Sequence, residues 1–444
     1  MSRRRWGTLW LLLVLVCGTL ALPALADSQA RIVRLSDVEG TLQIDRNTGQ
    51  GYENAFLNMP ITQGTKLKTK DDGRAEIEFE DGSTVRITPN TTIEFPQLSL
   101  QDSGGYVSTV VVQEGTAYVN YSGKKDDQFM VSFGREAVSL TQSAHFRVQL
   151  NDSDATLAVF KGAVQAAGPS GNVDVGKKQA VTFDLADNDK YTLAKNLEED
   201  PFDAWDKQQE QYHQQYSANR SYSSPYAYGA SDLSYYGNFM NVSGYGMMWQ
   251  PYFVGMGWDP FMNGAWMWYP GFGYTWVSAY PWGWMPYRYG NWVFVPGMGW
   301  LWQPGNSWAG WNTLPRVMHP PQRFTMIQPP SSPGHNIVVV NRGPVASPAH
   351  ASPRTMVIRN GSAGMGIPRG VVRNLGQVSR QLERNGASTA TIDTTPAIRP
   401  APGTPSTSAP RTVAPHTVAP ATRMGTPPVR TAPHSTPRST SRPH

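Results

Sequence analysis

Short apolar runs broken by turn residues dominate the first half of the chain. Between residues 31 and 185 they fall at 31–35, 40–44, 65–69, 75–79, 84–88, 92–98, 107–113, 117–121, 128–132, 137–141, 145–150, 155–160, 163–166 and 179–183. In Ala75-Glu76-Ile77-Glu78-Phe79, apolar and acidic residues alternate. That period predicts a strand with one buried and one wet face. Asp71-Asp72-Gly73, Asp81-Gly82, Glu114-Gly115 and Lys161-Gly162 stand between runs as tight turns. Fourteen short runs without a convincing helix predict an all-β domain over residues 31–185. It is either a β-sandwich or a short β-solenoid.

The pattern changes at residue 200. Asp200 is placed to cap a helix, with Pro201 at its first position and Asp203 in its first turn. The apolar positions over 200–217 are mainly Phe202, Trp205, Tyr212 and Tyr216. They are too sparse for a buried helix, so a solvated spacer docked through Phe202 and Trp205 is expected. A Ser/Tyr linker follows at 221–230.

Residues 233–312 are tryptophan-rich and repetitive. Twelve of the fifteen tryptophans lie between Tyr236 and Trp311. At an offset of 26, Trp258, Gly264, Trp266, Pro270, Gly271, Gly273 and Trp276 match Trp284, Gly290, Trp292, Pro296, Gly297, Gly299 and Trp302. An earlier, more diverged copy begins at Tyr236, at an offset of 53 from Tyr289. A fixed period means one supersecondary unit used several times. Each unit reads as a hairpin: an aromatic strand, a Pro-Gly-x-Gly turn and a return strand with tryptophans two apart. Three hairpins in series could form a small twisted sheet. The tryptophans are then either the core of this module or an exposed platform that stacks on sugar rings or on a partner's side chains. For a platform the candidate residues are Trp266, Trp268, Trp276, Trp292, Trp300 and Trp302.

From residue 313 to 444 the composition turns to Pro, Ser, Thr, Ala and Arg. A segment of this kind buries too little apolar surface to offset its ordering entropy, so a mostly disordered tail is expected. One strand at 337–340 and one amphipathic helix over 371–383 are the exceptions. Net charge is +5 overall, but it is unevenly spread. From Leu314 onward there are fifteen arginines, no lysine and two acids, which makes the tail a candidate for binding polyanions.

The chain opens with Arg3, Arg4 and Arg5, an apolar run from 9 to 22, and Ala24-Leu25-Ala26. This reads as a secretory signal peptide over 1–26, so an exported protein, periplasmic or at the cell surface, is expected. No transmembrane span is expected once it is removed. The single cysteine, Cys17, lies inside that segment. The mature chain therefore has no disulfide, no thiol chemistry and no cysteine-ligated metal.

Candidate chemistry is sparse. The histidines (145, 213, 319, 335, 350, 416, 434 and 444) show no metal-ligand spacing within an ordered element. There is no nucleophile elbow and no phosphate-cradling glycine loop. Asn151-Asp152-Ser153-Asp154 is read as a hairpin turn rather than a calcium loop. A non-catalytic protein without cofactor or metal is expected.

Two stretches carry a resemblance. Val38-Glu39-Gly40, Gly64-Thr65-Lys66-Leu67-Lys68-Thr69, Phe79-Glu80-Asp81-Gly82-Ser83, Val111-Val112-Gln113-Glu114-Gly115 and Val159-Phe160-Lys161-Gly162-Ala163-Val164 together resemble the FecR domain family over roughly residues 33–185. That family is named for a protein that carries a signal across the inner membrane through a periplasmic β domain and a cytoplasmic anti-sigma segment. The present sequence is expected to lack a cytoplasmic segment ahead of its hydrophobic stretch, which departs from that plan. The resemblance implies an extracytoplasmic all-β module that binds a ligand or a protein. Trp258-Asp259-Pro260-Phe261, Tyr289-Gly290-Asn291-Trp292 and Pro296-Gly297-Met298-Gly299-Trp300 resemble an uncharacterised Trp/Gly-rich bacterial domain often found after FecR-like domains. The expected function is an envelope binding or scaffold protein that contacts a glycan or a protein partner. The alternative is FecR-type signalling through a membrane partner.

Overall fold

The computed structural model describes residues 31–124, 126–217, 226–308, 310, 313–331, 337–349, 352–385 and 388–391. The expected signal peptide, residues 221–225 of the expected linker and the tail beyond 391 lie outside the described residues. Strands dominate, as the hydrophobic pattern predicts, and among the described residues no helix is long and apolar enough to cross a membrane.

Residues 33–194 form two packed sheets that share one strand. The first layer runs Glu53–Asn54, Leu42–Asp45, Lys66–Thr69, Thr92–Leu100, Tyr106–Tyr121, Gln128–Phe133, Glu136–Leu140, Ala163–Gly168 and Gly171–Gly176. The second runs Pro60–Ile61, Val33–Glu39, Arg74–Glu78, Thr84–Ile87, Tyr106–Tyr121, Ala144–Leu150, Asp154–Lys161, Ala180–Asp184 and Lys190–Ala194. The chain crosses repeatedly between the layers, which is a sandwich rather than a simple coil. Phe79 of one layer meets Phe95 and Phe129 of the other at 6.5 and 5.0 Å between ring centroids.

The runs at 107–113 and 117–121 belong to a single strand, Tyr106–Tyr121. Its first half pairs in one layer and its second half in the other. The bend falls at Gly115, where φ is +89° and an added Cβ would meet Asn90 O at 2.6 Å. The Glu114-Gly115 signal marks a corner within a strand rather than a hairpin turn. Strands Glu53–Asn54, Pro60–Ile61, Gly171–Gly176 and Lys190–Ala194 have no counterpart in the pattern, because they are two residues long or largely polar. The acidic face of Ala75–Phe79 is also not wet. Glu76 and Glu78 are 0% and 2% exposed, covered by helix α1 (Asp203–Ser217) and helix α2 (Ala230–Tyr236).

Each unit of the tryptophan-rich stretch forms a hairpin. The strands are Gly237–Val242 with Gly246–Pro251, Asn263–Tyr269 with Gly273–Ser278, and Tyr289–Val295 with Gly299–Trp308. The first and third join in one sheet, through Trp249 opposite Trp302. A short helix, α3 (Met285–Arg288), leads into the third hairpin. The turns use paired left-handed glycines at equivalent places, Gly244 and Gly246, Gly271 and Gly273, Gly297 and Gly299.

A second device recurs in all three units. Phe239 faces Trp249, Trp266 faces Trp276, and Trp292 faces Trp302 across the strands. The return-strand tryptophan of each pair lies over a glycine: Gly237 under Trp249, Gly264 under Trp276, Gly290 under Trp302. A Cβ at any of these glycines would sit within 3.0 Å of the indole. The repeat therefore preserves the space that lets a large ring lie flat on the strand.

Part of the segment expected to be tail belongs to this body. Arg316–Met318 pairs with the third hairpin, Val338–Asn341 pairs with the second, and helix α4 (Leu375–Asn385) buries Leu375, Ser379 and Leu382. The strand and the helix anticipated at 337–340 and 371–383 are both present, within one to four residues at their ends.

Gly264 is not in the left-handed region, so Gly264→Ala reads the steric block alone, against the Trp276 indole at 2.4 Å and Val277 O at 2.6 Å. Overpacking of this kind costs about 1–3 kcal/mol. Thermal melts should show that loss for Gly264→Ala and little change for Gly257→Ala, whose Cβ would meet nothing within 4 Å.

Candidate functional site

A buried ion network joins the sandwich, helices α1 and α2 and the segment near residue 369. Its centre is Glu76, which accepts five hydrogen bonds: Ser36 Oγ at 2.7 Å, Arg86 Nε at 2.8 Å, Arg369 Nη1 at 2.7 Å, and His213 Nε2 at 2.9 and 3.0 Å to its two oxygens. The second hub is Asp232. Arg369 grips it with Nε at 3.0 Å and Nη2 at 2.9 Å, Arg34 Nη1 approaches at 2.6 Å, and Tyr212 Oη donates at 2.8 Å. Asp206 of α1 completes the chain, pairing with Arg86 at 2.7 Å and His145 at 2.8 Å.

The local sequence explains the placement. Asp200 caps α1, accepting from Phe202 N at 2.8 Å, while Asp203 accepts from Asp200 N at 3.0 Å, a reciprocal cap. The helix then presents Asp206, Gln209, Glu210 and His213 at steps of three and four, the spacing of one face. That polar face turns inward onto Arg86 and Glu76, so α1 is docked rather than solvated.

Electrostatics follow from burial and pairing. Burial alone would raise the Glu76 carboxyl, but His213, Arg86 and Arg369 hold it well below its ordinary 4.5. Asp232 is likewise pulled below its ordinary 3.8 against burial, by Arg369 and Arg34. Burial would lower His213, but Glu76 and Glu78 hold it above its ordinary 6.5. Burial pushes Asp37 up to about 7 despite Arg369, with Glu39 and Glu76 adding to the rise. Both oxygens of Glu76 and of Asp232 are engaged, so these two carboxylates hold the elements together. Among the described residues no group of three or more His, Cys, Asp or Glu could hold a metal ion.

Beside the network lies a polar groove between α1 and α4. It consists of two cavities, of about 460 and 550 Å³, which share Gln215, Tyr216 and Asn374. Arg369 forms part of its wall, and Arg373 and Arg380 stand exposed along it.

The nominated tryptophans lie elsewhere. Trp266, Trp276, Trp292, Trp300 and Trp302 are at most 3% exposed. Trp266 packs on Trp276 at 5.5 Å, Trp292 on Trp258 and Trp282 at 5.9 Å, Trp300 on Phe324 at 4.9 Å, and Trp302 on Trp249 at 6.5 Å. Their rings fill a core whose hub, Trp282, donates Nε1 to Ala363 O at 2.7 Å. Of the six, only Trp268 is half-exposed; its carbonyl accepts from Arg46 of the sandwich. The hydrophobic pattern could not reveal the network, because inward polar residues carry no apolar signal. The one usable clue was the helical spacing of Asp206, Gln209, Glu210 and His213. His145 is a structural partner of Asp206, and Asn151 Oδ1 caps its own turn by accepting from Ser153 N and Asp154 N.

Residues 65–165 match the family described as FecR protein. Residues 230–316 match a family of unknown function, DUF6600. The fold overlaps two crystal structures, at 2.50 and 1.65 Å resolution, of a protein from Parabacteroides distasonis ATCC 8503 described as a proposed anti-sigma factor. Identities are 16% and 17%, and the TM-score is 0.26 for both. The overlap covers 30% of this chain and 59% of the length of each of those chains. No curated protein matches the chain.

Removing one partner from a buried charge network costs about 3–5 kcal/mol. Arg369→Ala should lose that much in denaturant unfolding, whereas the exposed Arg380→Ala should not. The network also fixes a pH dependence. His213 and Asp37 have raised folded pKa values, so their stabilisation is full below their unfolded values and is lost as pH rises through the folded ones. Glu76 and Asp232 are depressed, so theirs is lost as pH falls below 4.5 and 3.8. As pH rises, melting temperature should therefore decline from 3.8 to about 7 through Asp37 and above 6.5 through His213, and it should also decline in acid through Glu76 and Asp232. Asp37→Asn should remove the decline between 3.8 and about 7, and His213→Gln the decline above 6.5.

Proposed function

We propose that this is a non-catalytic, exported regulatory protein of the FecR type, acting outside the cytoplasm through a protein partner in the membrane. The FecR match over residues 65–165 carries this reading. It concerns a regulatory rather than an enzymatic family, and the extracytoplasmic placement accords with Arg3–Arg5, the apolar run and Ala24-Leu25-Ala26. The matched region includes Glu76 and Arg86, which clamp α1, and Arg34, just ahead of it, pairs with Asp232 of α2, so packed charge pairs offer a route for a signal from the sandwich towards the tryptophan-rich hairpins. A scaffold contacting glycan or protein through the tryptophan platform is the weaker reading, since only Trp268 of the six has an accessible face. Binding of polyanions by the arginine-rich tail remains part of the proposal for residues beyond 391.

Deletion of the gene tests the regulatory reading. Transcripts of one sigma-factor-dependent regulon should shift several-fold, and the wild-type gene should restore them. A deletion that leaves every such regulon unchanged would sink the reading.

A further inference from the structure

We infer that the groove between α1 and α4 binds an acidic saccharide chain. Its walls are rich in carboxamides. Gln208, Gln211 and Gln215 project from α1, and Asn374 and Gln377 from the facing segment, all exposed. A carboxamide sets an acceptor beside two donors, which suits the neighbouring hydroxyls of a sugar. Tyr216 and Tyr252 are half-buried, with part of each ring open to the groove, where a sugar ring can stack. Each cavity lies within the size range of small-ligand sites, roughly 300–1,000 Å³.

Charge selects among saccharides. Arg373 and Arg380 are exposed on one side of the groove, and no carboxylate is among the described residues that line it. A ligand bearing carboxylate or phosphate groups gains from that field, and a neutral one does not. The site is assembled from segments about 160 residues apart, one of them from the stretch whose composition reads as tail.

The inference rests on the groove and not on the regulatory reading. Binding without any regulon effect, or the converse, would separate the two. The test is calorimetric titration of the full chain with hexagalacturonate, maltohexaose and inorganic polyphosphate. Hexagalacturonate should bind at one site and at least about tenfold more tightly than maltohexaose. The triple variant Gln211→Ala, Gln377→Ala, Arg380→Ala should weaken it about tenfold with no change in melting temperature, since all three side chains are exposed. Equal binding of maltohexaose would overturn the acidic specificity, and equal, variant-sensitive binding of polyphosphate would overturn the saccharide assignment. Hexagalacturonate binding that ignores the triple variant would place recognition on other arginines and overturn the site.

Discussion

The charge held at Glu76 is the constraint on which the architecture depends. A carboxylate without exposure is tolerable only where donors surround it. Here the donors come from Val33–Glu39, Thr84–Ile87, α1 and the segment at Arg369. Each must arrive in one position for the carboxylate to be satisfied. An apolar patch of equal size would hold these elements as firmly but would let them slide. The ion network therefore contributes orientation more than net stability, because pairing roughly offsets the desolvation of its members.

The hairpins solve a different problem. An indole is large and flat, and a strand surface is pleated. Placing glycine opposite the ring removes the one Cβ in the way, so that three tryptophans of equivalent position lie close to the backbone. With most of the rings committed to this core, the accessible polar groups beside it are glutamine, tyrosine and arginine side chains of α1, α4 and the segment before α4.

Periodicity made most of the fold legible. Thirteen strands of the sandwich and all three hairpins follow from alternation and turn residues in the chain. What escaped had a common cause. Glu76 and Glu78 alternate with apolar neighbours, and alternation reports two different faces but not which of them is covered. Asp206 and His213 point inward with no apolar signal at all. Arg369 stands in a Pro- and Gly-punctuated stretch whose composition resembles tail, although it is tied to Glu76 and Asp232. The groove escaped for the same reason, since half of it comes from that stretch.

The pairing of Glu76 with Arg369 spans 293 residues of chain. At the usual pace of synthesis, about 5–20 residues per second, roughly 15–60 s separate the two on the ribosome. Throughout that interval the carboxylate lacks one of its guanidinium partners, and Asp232 lacks its bidentate grip. The emerging chain therefore has an electrostatic reason to remain loosely assembled until its far end is delivered. Completion of the charge network thus waits on residue 369, which comes late in the order of synthesis.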